Sequence, residues 1–303
     1  MATPNTMTIT LPGEDEQLFK LVRHKSVGSA IAAVLVLLVI AGVIAAFVFA
    51  DIDYAVTLKY LFDPQILSGV VTTLELTVIS MLVGVMLGVV TALLRESKNR
   101  VLSGAAGFYT WLFRGTPVLV QLLIWFNIAL VIPTVSFFGM WTVSTNTIMT
   151  PFLAAILALG INEGSYMSEI VRAGLLAVDK GQAEAALALG MRKRRVMLSV
   201  VLPQALRIIL PPAGNQLIAM LKTSALAYTI SVSELLNGAF RIYTLNYKVI
   251  ELLFTASIWY LFMTTVLTFL QSWLERRMNR GFAGEAAPSM KKRWLKNTFG
   301  VTR

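Results

Sequence analysis

The sequence predicts an all-α integral membrane protein with about six transmembrane helices, and three observations carry that prediction. Of its 303 residues, 56% are hydrophobic and 14% charged, whereas a soluble domain averages about a quarter charged. Two runs, Val27 to Ala50 and Leu252 to Leu274, contain no charge, and each reaches the roughly 20 residues that a helix needs to cross the hydrocarbon core. The charges between apolar runs are also sided, as the order of elements makes plain.

The polar leader, residues 1–26, precedes the apolar run 27–50, which far exceeds the roughly 7–15 residues of a cleavable signal core and is expected to remain as a first helix. Residues 51–65 form an outer, periplasmic loop. Five further spans follow: Ile66–Leu94, Leu102–Ile132, Ile148–Val171, Leu206–Leu235 and Leu252–Leu274. With the N-terminus in the cytoplasm, the inner segments 1–26, 95–100, 172–207 and 275–303 hold 21 of the 26 Lys and Arg residues. The outer segments hold Lys59, Arg241 and Lys248. That bias is a strong positive-inside signal, with both termini expected in the cytoplasm. It also accounts for the net charge of +10 without a nucleic-acid partner, and the basic tail 278–303, with Lys291-Lys292-Arg293, suits anionic lipid. There is no cysteine and one histidine, His24 in the leader, so no thiolate metal site and no histidine-based hydrolysis is expected, and the chain reads as a non-enzyme.

The inner loop 173–206 is not built as a plain connector. Asp179 is placed to cap a helix starting near Lys180, with Gln182 at the position of a capping-box partner. Ala183, Ala185, Ala186 and Ala188 give that helix high propensity and a thin profile, and Gly190 suits its left-handed end. A second, basic helix is expected from Arg192 to Val201, stopping before Pro203. By residue type alone this loop is either an interfacial connector or a helix that slides into a cleft on a soluble partner.

The spacing Glu184-Ala185-Ala186, three residues, Gly190, nine residues, Val200, one residue, Leu202-Pro203 resembles the signature loop of permeases of ATP-binding cassette (ABC) importers, with Val200 where isoleucine is commoner. Phe113-Arg114-Gly115-Thr116-Pro117 with Val120-Gln121, Tyr166 to Arg172, and Leu210-Pro211-Pro212 through Lys222-Thr223-Ser224 are similar to segments of polar amino-acid permeases of the histidine, glutamine and glutamate type. The resemblance runs from Ile66 to Arg277 and implies a type I ABC importer permease fold, a core at 66–277 and a dimer of identical or related permeases. It assigns ATPase coupling to Asp179, Gly181, Glu184, Ala185, Ala186, Gly190 and Arg192. It also implies two ATPase subunits that hold ATP and Mg, since this chain has no G-x-x-x-x-G-K-[ST] run, together with an external, periplasmic or lipid-anchored, amino-acid-binding protein.

A charge in the bilayer costs on the order of 2.5–3.5 kcal/mol on insertion scales, so each one needs a reason. Glu163 lies roughly 21 Å into its span at 1.5 Å per residue, and Lys222 lies at a similar depth in the fifth. Glu163 is a candidate for the ammonium of an amino acid and Lys222 or Arg114 for its carboxylate, aided by Asn162, Asn215, Thr223 and Ser224. The alternative is an internal Glu163–Lys222 ion pair, with Arg114 snorkelling toward the cytoplasm. Glu75 and Glu234 fall near outer ends, where water or the delivery protein would meet them. Trp259, Trp273, Tyr60 and Tyr109 are expected at headgroup level, Gly84 and Gly88 at a close helix crossing, and Pro211-Pro212 at a bend or unwound turn. An ion-coupled secondary transporter is the competing function.

Overall fold

A computed structural model describes residues 27–137 and 141–278. The expected leader, 1–26, and all of the basic tail except Met278 lie outside the described residues. Two units are treated separately: α1 (Val27–Phe49) belongs to the first, and everything from Asp53 to Met278 to the second. α1 is apolar all round, as befits a span whose solvent is lipid, and its ends match the expected first helix within a residue.

The second unit begins with α2 (Tyr54–Tyr60), a short helix capped by Asp53. α3 (Pro64–Arg95) has Asp63 as N-cap and Pro64 at its first position, where the missing N–H costs nothing. The third expected span is broken in two: α4 (Arg100–Gly115) and α5 (Val118–Phe126) meet at Thr116-Pro117. Pro117 cannot donate to the carbonyl of Phe113. The side-chain amides of Gln121 and Asn162 donate to it instead, at 3.0 and 2.7 Å. A 3₁₀ turn (Ile128–Leu130) leads to an unforeseen hairpin, β1 (Thr134–Phe137) antiparallel to β2 (Trp141–Ser144), with Thr134 opposite Ser144. A turn of helix, α6 (Thr145–Ile148), precedes α7 (Pro151–Leu176), which Thr150 caps.

After α7 come α8 (Lys180–Ala188) and α9 (Lys193–Val196). The second loop helix does not stop at Pro203. A π-helical segment (Met197–Val201) joins α9 to α10 (Leu202–Thr223), with Leu202 donating to the Met197 carbonyl, one residue further back than α-helical spacing. The wider turn relieves the clash and the missing donor that Pro203 would impose on an α-helix. α10 also passes through Pro211 and Pro212 as helix, so the expected unwinding is not found there. The interruption falls later, where Ser224–Ile230 is 3₁₀ and Ser231 turns the chain with φ 63°. α11 (Leu235–Asn246), missed in the sequence, then packs inward before α12 (Val249–Met278).

Among the described residues four helical stretches combine the length and apolarity of a bilayer crossing: Ile31–Phe49, Pro64–Arg95, Lys193–Ile230 and Val249–Met278. α7 has the length, but Asn162, Glu163, Ser165, Ser168 and Glu169 dilute its apolarity, and α4–α5 is broken. The expected count of six is therefore not confirmed: four stretches qualify, and α7 and α4–α5 differ from them in character.

Glycines set how the segments pack. A Cβ at Gly88 would lie 2.5 Å from Cβ of Met167, and one at Gly84 would lie 2.7 Å from Cγ of Glu163, so α3 and α7 touch where the sequence placed a close crossing. Gly69 lets α11 approach equally: a Cβ there would lie 2.8 Å from Cα of Leu235. Three buried clusters follow, one centred on Leu76, Leu122 and Leu159, one on Ile66, Leu235 and Leu252, and one on Met81, Met167 and Ile209.

Several expected surface groups are internal. Glu234 is fully buried and caps α11, accepting from the N–H of Asn237 at 2.7 Å and Leu236 at 2.9 Å and from the Tyr260 hydroxyl at 2.8 Å. Tyr109 donates to the Ile161 carbonyl at 2.6 Å, and Trp259 to that of Leu61 at 2.7 Å. These two side chains serve helix packing, because a polar tip in an apolar interior needs a partner. Trp273, by contrast, is exposed, with the Arg277 guanidinium 5.5 Å from its ring centroid.

Candidate functional site: a polar cavity and a capped helix at one end

Where α4 breaks from α5, the chain leaves room against α7 and α10 for a cavity of about 450 Å³. Arg114, Thr116, Asn162, Glu163, Tyr166, Gln216 and Thr223 contribute its polar lining. Four of the expected substrate residues therefore come together: Arg114, Asn162, Glu163 and Thr223. Lys222, Asn215 and Ser224 stand outside the lining: Lys222 is exposed, Ser224 is buried and donates to the Leu221 carbonyl, and Asn215 accepts from Gln271 at 3.1 Å. Helical geometry is the reason, because on α10 residues 216, 219, 220 and 223 share a face that 215 and 222 do not.

Glu163 is 6% exposed, and its carboxylate accepts from the Gln216 amide at 3.2 and 3.4 Å. Among the described residues no basic side chain lies within 4.0 Å of it, so the expected Glu163–Lys222 pair is not formed. Its stem fits because the facing position on α3 is Gly84. Arg114, at the last turn of α4, lies with its guanidinium 5.3 Å from the centroid of Tyr166. Asn162 spends its amide on the broken helix, donating to Phe113 and, at 3.2 Å, to Gln121. Sequence reasoning missed Gln216 and Tyr166. A period of 3.6 projected from Glu163 and Thr223 would have pointed to Tyr166 and Gln216, but only the packing of α7 on α10 shows that the faces meet.

At one end of the unit Arg95, Glu96, Glu169 and Arg172 form a chain of ion pairs, with 3.9 Å between Arg95 and Glu169 and 3.5 Å between Arg172 and Glu96. Beyond this cluster stands α8. Asp179 caps it by accepting from the Gly181 N–H at 2.8 Å. Gly190, at φ +81°, ends it with Met191 N–H on the Ala186 carbonyl and Gly190 N–H on that of Leu187, a Schellman closure. Ala186 faces inward, whereas Glu184, Ala185 and Leu189 are exposed, as is Arg192 beyond the cap. Val178, Ala205 and Ile209 root the loop in the third cluster.

Interrupted helices around a polar cavity, with a thin capped helix rooted at one end, are the features of a membrane transport subunit. Residues 84–280, more than half the sequence, match the family described as "Binding-protein-dependent transport system inner membrane component", and the chain belongs to that family. It is 41% identical over 225 residues to the arginine transport system permease protein ArgU of Corynebacterium glutamicum, covering 74% of this chain and 71% of that one. It is 36% identical to the arginine transport system permease protein ArtQ of Bacillus subtilis, covering 75% and 98%. A solved "amino acid ABC transporter with histidines" superposes with a TM-score of 0.65 at 37% identity, over 75% of this chain and 100% of that one. The MetNI methionine ABC transporter, at 20% identity, TM-score 0.56 and coverage of 71% and 96%, shares the fold. The type I importer permease architecture is thus established, and a secondary transporter finds no support.

Proposed function

We propose that this permease carries a polar α-amino acid across the bacterial inner membrane as one of two permease subunits. An external binding protein delivers the substrate. Two ATPase subunits, which hold ATP and Mg, grip α8 through Asp179, Gly181, Glu184, Ala185, Ala186, Gly190 and Arg192. The positive-inside bias supports cytoplasmic termini and puts α8 on the ATPase side. One observation carries the substrate reading: a carboxylate, Glu163, is buried against the cavity without a cation. Leaving a charge uncompensated in a low-dielectric site is costly, and the ammonium of an amino acid supplies what is missing. Arg114, which lines the same cavity and is unpaired with any carboxylate among the described residues, takes the α-carboxylate, with Thr223 and Gln216 as further polar lining. Lys222, Asn215 and Ser224 lie outside this pocket in one subunit. The names of relatives, transporters of arginine, glutamine, cystine and nopaline, support a polar substrate.

The test is uptake in proteoliposomes carrying the permease, its ATPase and its binding protein, with radiolabelled L-arginine and L-glutamine as probes. ATP-dependent accumulation is expected in wild type. Glu163→Gln should lower it by tenfold or more, since a hydrogen bond to a charged group is worth about 1.5–3 kcal/mol. Glu184→Lys should strip the ATPase during copurification while leaving the permease folded. Uptake driven by a proton gradient without ATP, or full activity in Glu163→Gln, overturns the reading.

A further inference from the structure

An open surface pocket, of about 420 Å³, adjoins the first, with Arg95, Gly107, Thr110 and Trp111 among its lining residues. The two share Arg114, Gly115 and Tyr166, so the cation–ring stack of Arg114 on Tyr166, 5.3 Å from guanidinium to centroid, lies on the boundary between them. We propose that this stack is a movable partition on the exit side of the substrate cavity, and that Arg95 receives the substrate carboxylate once Arg114 lets it go. The proposal rests on the amino-acid reading above and on the Arg95 end facing the cytoplasm.

Four features of the structure support it. Gly107, Trp111 and Arg114 recur at the spacing of one helix face, so one stripe of α4 runs past both cavities. Along that stripe Gly107 and Arg114 are about 10 Å apart at 1.5 Å per residue. Arg95 is held so that it can change partners. Its Nη1 donates to Thr110 at 2.9 Å, but its ion pair with Glu169 is long, at 3.9 Å, and Glu169 keeps Arg172 at 3.4 Å if Arg95 leaves. Gly107 makes the room: a Cβ there would lie 3.2 Å from Nη1 of Arg95. Arg114 itself is held by a ring face, an attraction of about 0.5–1 kcal/mol at exposed sites, which is weak enough for an incoming carboxylate to displace.

Single-turnover release of L-arginine or L-glutamine into the proteoliposome lumen tests this in the fully assembled transporter. Arg95→Gln should slow release on the order of tenfold, the worth of a charge-assisted hydrogen bond, while substrate-stimulated ATP hydrolysis persists. Glu169→Gln breaks the same ion pair but keeps the Arg95 cation, so release should stay within about twofold, as for an exposed pair. Tyr166→Ala removes the partition and should allow preloaded substrate to leak without ATP. If Arg95→Gln and Glu169→Gln fail in parallel, Arg95 is structural and the proposal is overturned. Unimpaired release by Arg95→Gln, or no leak through Tyr166→Ala, overturns it as well. Wild-type vesicles that accumulate no amino acid would instead overturn the amino-acid reading on which it rests.

Discussion

The seam between α3 and α7 and the lever at α8 are opposites. In the seam Gly84, Gly88, Gly160 and Gly164 leave no room for a Cβ, so two helices lie backbone to backbone. In the lever, exposed alanines and Glu184 face outward, and only caps and one inward face hold the helix to the unit. The first arrangement gains stability from contact area. The second leaves its surface exposed, where the ATPase is proposed to grip it, and relies on local hydrogen bonds for its shape. The contrast teaches that damage to one should unfold the subunit, and damage to the other should disconnect a subunit that stays folded.

Three substitutions break or sharpen that contrast. Gly88→Leu has the largest expected effect. Its Cβ would lie 2.5 Å from that of Met167, and overpacking of this kind costs about 3 kcal/mol or more. Thermal unfolding in detergent should show a strongly destabilised protein. A normal melting curve would mean that the seam can part, and the contrast would fail.

Gly190→Val is intermediate. A β-branched residue at φ +81° costs roughly 1–2 kcal/mol, confined to the end of α8. ATPase copurification should drop while the melting temperature of the permease changes little. A parallel loss of both would show that the lever is part of the core.

Gly104→Ala is the smallest and has the opposite sign. No atom lies within 4 Å of a Cβ at Gly104, and alanine is the better helix former by about 1 kcal/mol. The same melting assay should register a slight stabilisation. Destabilisation there would place an unseen neighbour, such as the second permease, against α4.

Much of this was legible in the residues. The caps of α8 at Asp179 and Gly190 were readable because capping is a local code in which side chain and backbone lie within three residues of each other. The close crossing at Gly84 and Gly88 was readable because a spacing of four puts both on one helix face. The break at Thr116-Pro117 lay inside a run read as one span, although Arg114-Gly115-Thr116-Pro117 interrupts its apolarity; hydropathy averaged over the span does not register which carbonyl loses its donor. α11 was hidden because its cap, Glu234, looks like a surface charge until Tyr260 and Thr73, far away in sequence, are brought against it.

Sequence alone determined that the chain lives in a bilayer, that its basic residues are sided, that it lacks a phosphate-binding loop and that a capped alanine-rich helix sits between its fourth and fifth spans. Those properties depend on composition and on neighbours along the chain. Tertiary structure alone decided that Glu163 meets Gln216 rather than Lys222, that Arg114 stacks on Tyr166 between two cavities, and that Glu234 is internal. Each of those pairings joins separate helices, and which faces meet depends on glycine-set approach distances and helix rotation that no local pattern encodes.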